Sequence, residues 1–269
     1  MDIASKSYHG SLIEEYFARK SGSFEPASRA LPTAACGLFL CFSNRCGSTL
    51  VAAEASSLGF CGKPNSHLNY EFFNSDFVIE YCEQNSISTF QQYVEAIYEE
   101  FGSPLNIFFT KGSLDQLVWL KRSGVIGVAL PNYHYLRVTR RDLVAQAVSI
   151  VIAHQTGQWT SMHGHSRGVP SYDHQKIAGA VSYFAKITAD ADVYFSLLDV
   201  QPAYFVYEEV LADIAQVGEK LQRLTGIDAL PRMRRTLEVQ KQTQRMNLEW
   251  AQRFRDEAIG VSKLDEEQR

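Results

Sequence analysis

The chain has 269 residues, of which 45% are hydrophobic and 21% are charged, and its formal net charge at pH 7 is −4. This is the composition of a globular protein with a sizeable core, and it excludes a disordered chain. The slightly acidic balance argues against nucleic acid as a partner, because no overall positive field would attract a phosphate backbone. A net charge of −4 is compatible with a local basic pocket for one small anion.

The N-terminal sequence and the cysteines bear on the cellular compartment. Residues 1–10 lack the apolar stretch of a signal peptide. The longest apolar run nearby, Ala34–Phe42, is far shorter than the roughly 20 residues that span a bilayer. The five cysteines include no CxxC pair, which favours free thiols in a reducing compartment. We therefore expect a cytoplasmic protein without a membrane span, although peripheral membrane contact is left open.

Buried apolar runs alternate with helical patterns along the chain. In chain order the patterns predict a helix at Ile3–Lys20, a strand at Gly37–Ser43, a helix at Thr49–Leu58, a strand at Asn106–Thr110, a helix at Leu114–Arg122, a strand at Tyr133–Thr139, helices at Leu143–Thr156 and Ile177–Leu198, a strand at Ala203–Tyr207, and helices at Val210–Leu224 and Met233–Phe254. This alternation predicts an α/β fold with a mainly parallel sheet of about four to five strands flanked by helices. Ligands in such folds bind beyond the carboxyl ends of the strands.

The chain shows no internal repeat, and we divide it by composition. Residues 1–35 are interpreted as an N-terminal leader, 36–255 as one catalytic or binding domain, and 256–269 as a charged tail. The polar segment Thr160–Asp173 is long for a loop, which is typical of lids and binding loops.

The first candidate site is the segment Ser43–Thr49, between the first predicted strand and the next helix. Unpaired N–H groups at a helix N-terminus favour an anion. Gly47 lets the backbone approach a ligand closely, and Ser48 and Thr49 add hydroxyl donors. Arg45 adds a forked cation. The segment lacks the GxxxxGK[ST] spacing of ATPases and GTPases, and a capped turn without a ligand is the alternative.

The second candidate site lies at the end of the third predicted strand. Arg140 and Arg141 follow that strand, and Ser149 lies about two turns into the next helix. Together they would bind a second phosphate. A serine within a helix commonly bonds the carbonyl four residues earlier instead, and this alternative stays open.

Several short segments occur in a characteristic order between about residues 37 and 255. They are Arg45–Leu50, Gly62–Pro64, Glu71–Phe73, Arg140–Ser149, Gln155–Thr156 with Trp159, Tyr207–Glu208 and Glu249–Trp250. In this order and spacing they resemble the carbohydrate sulfotransferase family typified by mycobacterial trehalose 2-sulfotransferase and rhizobial lipopolysaccharide sulfotransferase. The resemblance implies a P-loop NTPase-like three-layer sandwich and a homodimer. It also implies direct in-line transfer of a sulfuryl group from 3'-phosphoadenosine 5'-phosphosulfate (PAPS) to a sugar hydroxyl, without a metal.

The resemblance also implies roles for individual residues. Those matched to the donor nucleotide are Arg45, Gly47, Ser48 and Thr49 at the 5'-phosphosulfate, Arg140 and Ser149 at the 3'-phosphate, and Trp250 on a segment that closes over the nucleotide. We include their neighbours Cys46 and Arg141 in the predicted nucleotide site. Those matched to the acceptor are Glu71, Phe73, Gln155 and Trp159. Lys111 resembles a family lysine near the reacting centre, where it would neutralise growing charge together with Arg45.

The general base has more than one candidate in the sequence. Glu71 matches the family's glutamate and would accept the proton of the attacking hydroxyl. However, residues 66–70 form an insertion before it; an alignment without a gap would place Ser66 there, and His67 is another candidate base. The family also has Ser where Cys46 stands and Pro where Arg141 stands.

Other functions fit the sequence less well. A small-molecule kinase would need a lysine in the loop and Mg²⁺ ligands, and neither is recognisable. A non-catalytic anion- or sugar-binding relative remains an alternative because Glu71 is displaced. His163 and His165 have a spacing that would allow metal chelation but are more typical of loop histidines, so we expect no metal. We also expect the anion-binding loop to lower the pKa of Cys46, which would make a nucleophile conceivable.

Overall fold

The computed structural model describes residues 7–31, 36–62, 72–159, 168–231 and 245–260. Its strands are β1 (Cys36–Cys41), β2 (Ile107–Gly112), β3 (Tyr133–Thr139) and β4 (Ala203–Val206). Its helices are α1 (Tyr8–Ser21), α2 (Ser48–Ser57), α3 (Ser75–Gln84), α4 (Phe90–Phe101), α5 (Leu114–Arg122), α6 (Leu143–Thr156), α7 (His174–Leu197), α8 (Tyr207–Ala212), α9 (Ala215–Thr225) and α10 (Arg245–Ala258).

The strands form one parallel sheet in the order β2-β1-β3-β4. Leu40 of the central strand β1 lies opposite Lys111 of β2 and Leu136 of β3. All residues of β1 are buried, as expected for a parallel strand covered on both faces. The predicted α/β class is therefore confirmed. The carboxyl ends of the strands meet at one edge, where ligands bind in such sheets.

Each face of the sheet is covered by helices, because successive side chains of a strand point to opposite faces. On one face, Leu38 and Leu40 pack with residues of α2, α8 and α9. On the other face, Phe39 and Tyr135 pack with residues of α1, α3, α4, α5 and α7. A third cluster joins α6, α7 and α10, with Phe254 of α10 in it. The result is the predicted three-layer sandwich.

The helices differ from the sequence-based prediction in three parts of the chain. Helices α3 and α4 were not predicted. The predicted helix Val210–Leu224 is two helices, α8 and α9, because Asp213 is extended and its side chain accepts a hydrogen bond from the Ala215 N–H at 3.0 Å. At the C-terminus, α10 covers Arg245–Ala258, and residues 232–244 lie outside the described part. Within the described ranges, no helix is both long and apolar enough to cross a bilayer.

The described part of the predicted leader packs into the core. Ile13 and Phe17 of α1 are buried in the same cluster as Phe39. The Trp119 indole N–H donates to Glu14 at 2.8 Å, and its ring lies directly against Gly10. Helix α1 is therefore a structural part of the fold. The division at residues 35 and 255 stays a prediction.

Removing the Ile13 side chain tests this packing. We expect Ile13→Ala to lower the free energy of unfolding by about 2 to 5 kcal/mol, since it leaves a cavity in the core. Tyr8→Ala, at a position of the same helix that is 71% exposed, should cost less than about 0.5 kcal/mol. Urea unfolding measures both. Equal midpoints for the two variants would show that α1 does not contribute to the core.

Candidate anion-binding site

The loop between β1 and α2 is shaped by two residues with positive φ and by one side chain of α6. Arg45 has φ 65° and Gly47 has φ 95°, which turn the chain into the first turn of α2. The Gln146 side chain donates to the Ser43 hydroxyl at 2.9 Å and to the Asn44 carbonyl at 2.8 Å. The loop conformation therefore depends on α6, which follows the second predicted site.

The two predicted sites contact each other, and the group formed by Arg45, Arg140 and Ser149 is called the cleft below. Arg140 Nη1 donates to the Arg45 carbonyl at 3.2 Å, and Arg45 Nε donates to the Ser149 hydroxyl at 2.8 Å. A further bond runs from Arg45 Nη1 to the Trp159 carbonyl at 2.6 Å. Burial, followed by the charge of Arg140, lowers the pKa of Arg45. Two cations held this close favour an anion between them.

Tyr207 connects the two halves of the cleft. Its ring lies under the Arg140 guanidinium, with Cζ 4.8 Å from the ring centroid. The same ring packs so closely on Gly47 that a Cβ there would lie 2.3 Å from Tyr207 Cδ2. Sequence reasoning did not assign Tyr207 to the site. Its signal in the sequence was the Tyr207–Glu208 pair at the end of the last predicted strand, one of the segments that carry the family resemblance.

The hydrogen bonding of Arg140 and Ser149 leaves donors in the cleft. Arg140 Nε is buried without a hydrogen-bond partner among the described residues, and the nearest carboxylate oxygen, of Glu208, is 3.9 Å away. The Ser149 oxygen accepts from Arg45, and the described structure contains no bond from its hydroxyl to the carbonyl of residue 145. The intrahelical alternative is therefore wrong, and the hydroxyl hydrogen is available to an acceptor in the cleft.

Comparison with known protein families gave a match. The model of the Stf0 sulphotransferase family matches residues 113–257, more than half of the chain. The chain belongs to this family. The family predicted from the sequence motifs is thus confirmed, and the protein is a sulphotransferase. The search of curated proteins found no match. The matched range includes Arg140, Ser149 and Tyr207, whereas Arg45 precedes it.

Two residues predicted at the substrates of this Stf0 family member lie elsewhere. Arg141 is exposed and pairs with Glu209, so its side chain is not among the contacts around Arg45. Phe73 is 2% exposed in the aromatic core, with its ring edge-on to Trp119. A residue so deeply buried cannot contact an acceptor, and we do not retain Phe73 as a substrate residue.

Gln155 and Trp250, predicted at the acceptor and at the nucleotide, make contacts within the protein. Both ends of the Gln155 amide bond the backbone of Ser171, at 2.9 and 2.6 Å, so Gln155 fixes the chain after the 160–167 segment. Trp250 is half-buried in the cluster of α6, α7 and α10, with its ring edge-on to Tyr172 at 5.7 Å. The described structure therefore gives Gln155 a hydrogen-bonding role in the loop and Trp250 a packing role.

Cys46 does not behave as predicted. Its side chain is fully buried among the residues under α2. Burial raises the pKa of its thiol, although hydrogen bonds at Ser48 and Ser43 and the charge of Lys111 partly oppose this. The prediction of a lowered pKa is wrong, because the side chain points into the core and not into the cleft. A thiolate nucleophile at this position is disfavoured.

Lys111 lies within β2, not just after it as predicted, and is buried. Its ammonium group lies 5.3 Å from the centroid of the Phe42 ring. Because Phe42 directly follows β1, this contact places the Lys111 ammonium group beside the start of the loop that follows β1.

The C-terminal helix α10 is tied to the site through α6. Arg255 donates to both carboxylate oxygens of Asp142, the N-cap of α6, at 2.8 Å. Glu257 accepts hydrogen bonds from Tyr172 at 2.6 Å and Arg253 at 2.7 Å, and these lower its pKa to about 2. Helix α10 therefore ties the start of α6 and the start of α7 together.

Several predicted residues lie outside the described residues. They are Ser66, His67, Glu71, His163 and His165. In the remainder of the chain, no group of three or more His, Cys, Asp or Glu side chains is arranged to hold a metal ion.

Proposed function

We propose that the protein transfers a sulfuryl group from PAPS to a carbohydrate hydroxyl. The observation that carries the proposal is the direct link between the two arginine sites, through the bonds from Arg45 to Ser149 and from Arg140 to the Arg45 backbone. A nucleoside with phosphate groups at both its 3' and 5' positions is the kind of ligand that needs two adjacent anion sites. Membership of the Stf0 family supports the same chemistry.

The residues of the cleft fit the donor. At one end, the first turn of α2 with Ser48 and Thr49 would hold the 5'-phosphosulfate, because N–H groups and the helix dipole stabilise an anion there. At the other end, Arg140 and Ser149 would hold the 3'-phosphate with the donors that the described structure leaves without partners. Arg45 lies between the two ends.

In the proposed reaction, the acceptor oxygen forms a bond to sulfur while the bond from sulfur to the phosphate oxygen breaks. The acceptor proton passes to a general base, and adenosine 3',5'-bisphosphate leaves. Negative charge grows on the leaving phosphate, where Arg45 and Lys111 would stabilise it. We retain Glu71 as the proposed base, with Ser66 and His67 as the alternatives.

Trp159 is the described residue best placed to contact the acceptor. Its carbonyl oxygen accepts a hydrogen bond from Arg45, which we place next to the sulfuryl group. Its indole is 38% exposed and edge-on to His154 at 4.8 Å. An exposed aromatic face beside the reacting group would stack on a sugar ring. A cytoplasmic location and a homodimer belong to the same proposal.

Nucleotide binding tests the proposal directly. We expect calorimetry to show that the full chain binds adenosine 3',5'-bisphosphate at least about tenfold more tightly than adenosine 5'-monophosphate. The reason is that a charge-assisted bond contributes about 1.5 to 3 kcal/mol. Incubation with PAPS and a panel of sugars should then give sulfated products.

A lack of binding at millimolar adenosine 3',5'-bisphosphate would contradict the proposal. Phosphorylation of a sugar with ATP and Mg²⁺ would favour the kinase alternative. Nucleotide binding without transfer to any sugar of a broad panel would favour the non-catalytic alternative.

A further inference from the structure

Glu208 places a carboxylate beside the proposed 3'-phosphate site, where a negative charge opposes anion binding. It follows β4 in the first turn of α8. Its Oε2 accepts from the Arg141 N–H at 3.1 Å, and its Oε1 accepts from the Asp142 N–H at 3.3 Å. The same Oε1 lies 3.9 Å from Arg140 Nε. The carboxylate therefore hydrogen-bonds the backbone bend between β3 and α6, and it places a negative charge beside Arg140 Nε without bonding it.

The neighbouring Tyr207 completes this enclosure of Arg140. The guanidinium has the Tyr207 ring on its face, the Glu208 carboxylate beside Nε and the Arg45 carbonyl on Nη1. In the described structure Nη2 has no hydrogen-bond partner, which leaves it to a ligand. A long side chain held on three sides has little rotamer freedom to lose when an anion binds.

We infer that Glu208 is a positioning residue that sets the orientation of Arg140 for the 3'-phosphate. This inference rests on the proposed function. Glu208 does not touch the nucleotide; it acts through Arg140 and through the backbone that carries Arg140. Its benefit is preorganisation, which outweighs the unfavourable effect of its own charge.

The sign of the effect separates positioning from simple electrostatics. Removing a carboxylate next to an anion site strengthens anion binding when only its charge matters. Loss of positioning weakens binding instead. The adjacent Glu209, which pairs with Arg141, provides a matched control because Glu209→Ala removes the same charge one residue away.

The experiment compares two nucleotides in four full-length proteins: wild type, Glu208→Ala, Glu208→Gln and Glu209→Ala. Calorimetry gives the ratio of the Kd of adenosine 5'-monophosphate to that of adenosine 3',5'-bisphosphate, which isolates the contribution of the 3'-phosphate. We expect Glu208→Ala to lower this ratio about tenfold. Glu208→Gln, whose amide oxygen can still accept one backbone bond, should lower it less, and Glu209→Ala should leave it within about twofold.

Each other result is decisive. An unchanged or increased ratio in Glu208→Ala would overturn the inference in favour of a charge effect. Equal weakening of both nucleotides would overturn it in favour of a general structural role. If Glu208→Ala does not fold, as judged by its melting curve, Glu208→Gln takes its place, and an unchanged ratio there overturns the inference. Failure of the wild type to bind either nucleotide would overturn the proposed function and the inference with it.

Discussion

Replacing Arg45 with alanine should lower kcat/KM for sulfuryl transfer by about 10²- to 10³-fold. Arg45 bonds Ser149 and the Trp159 carbonyl, so its side chain is held between the two proposed phosphate sites. In the proposed reaction it stabilises charge that grows on the leaving phosphate, and loss of one such donor typically costs this much. Transfer of radiolabelled sulfate from PAPS to the best acceptor measures the effect.

Two further variants make this prediction specific. Arg45→Lys keeps the charge but loses the forked geometry, so we expect an intermediate loss. Arg29→Ala removes an exposed cation that pairs with Glu95, and it should leave kcat/KM within about twofold. Retention of more than a tenth of wild-type activity in Arg45→Ala would show that the loop after β1 is not the donor site.

Replacing Gly47 with alanine should disrupt the same site from the opposite side. Gly47 has φ 95°, and its added methyl would lie 2.3 Å from the Tyr207 ring. The ring must therefore move, and Arg140, which stacks on it, must move too. We expect at least a tenfold loss of affinity for adenosine 3',5'-bisphosphate. We also expect the free energy of unfolding to fall by about 1 to 3 kcal/mol.

Gly226 is a matched control for backbone strain alone. It has φ 69° at the end of α9, and a Cβ built there meets no heavy atom within 4 Å. Gly226→Ala should therefore cost about 1 kcal/mol of stability without changing nucleotide affinity. Calorimetry and urea unfolding separate the two effects. Nucleotide affinity in Gly47→Ala equal to that of the wild type would refute the role assigned to the contact with Tyr207.

Most of the sheet was predictable from sequence because β1 and β2 are fully buried and β3 largely so, which gives apolar runs, whereas in the edge strand β4 only Phe205 is buried. The helices α3 and α4 were not predicted, although Thr89 and Gln92 form a capping box that is visible in the sequence. Their aromatic residues have only modest helix propensity. Tertiary contacts stabilise this region instead, such as those of Phe90 and Phe73 with Trp119.

Convergence of the two arginine sites was predictable in outline, because parallel strands bring their carboxyl ends to one edge. The directions in which the individual side chains point were not predictable. Arg140 and Arg141 are adjacent, yet one stacks on Tyr207 and the other pairs with Glu209 at the surface. Cys46 lies in the loop, but its thiol is buried in the core and its pKa is raised. The directions of these side chains depend on packing between segments that are far apart in the sequence.

The contacts of Arg45 also bear on synthesis of the chain. Its partners Ser149 and Trp159 lie 104 and 114 residues downstream, and Tyr207 follows later still. Because translation proceeds from the N-terminus, the loop after β1 leaves the ribosome well before the groups that fix it. A nascent fragment that ends before β4 should thus be unable to sequester the nucleotide, and this capacity would arise only when most of the polypeptide has been made.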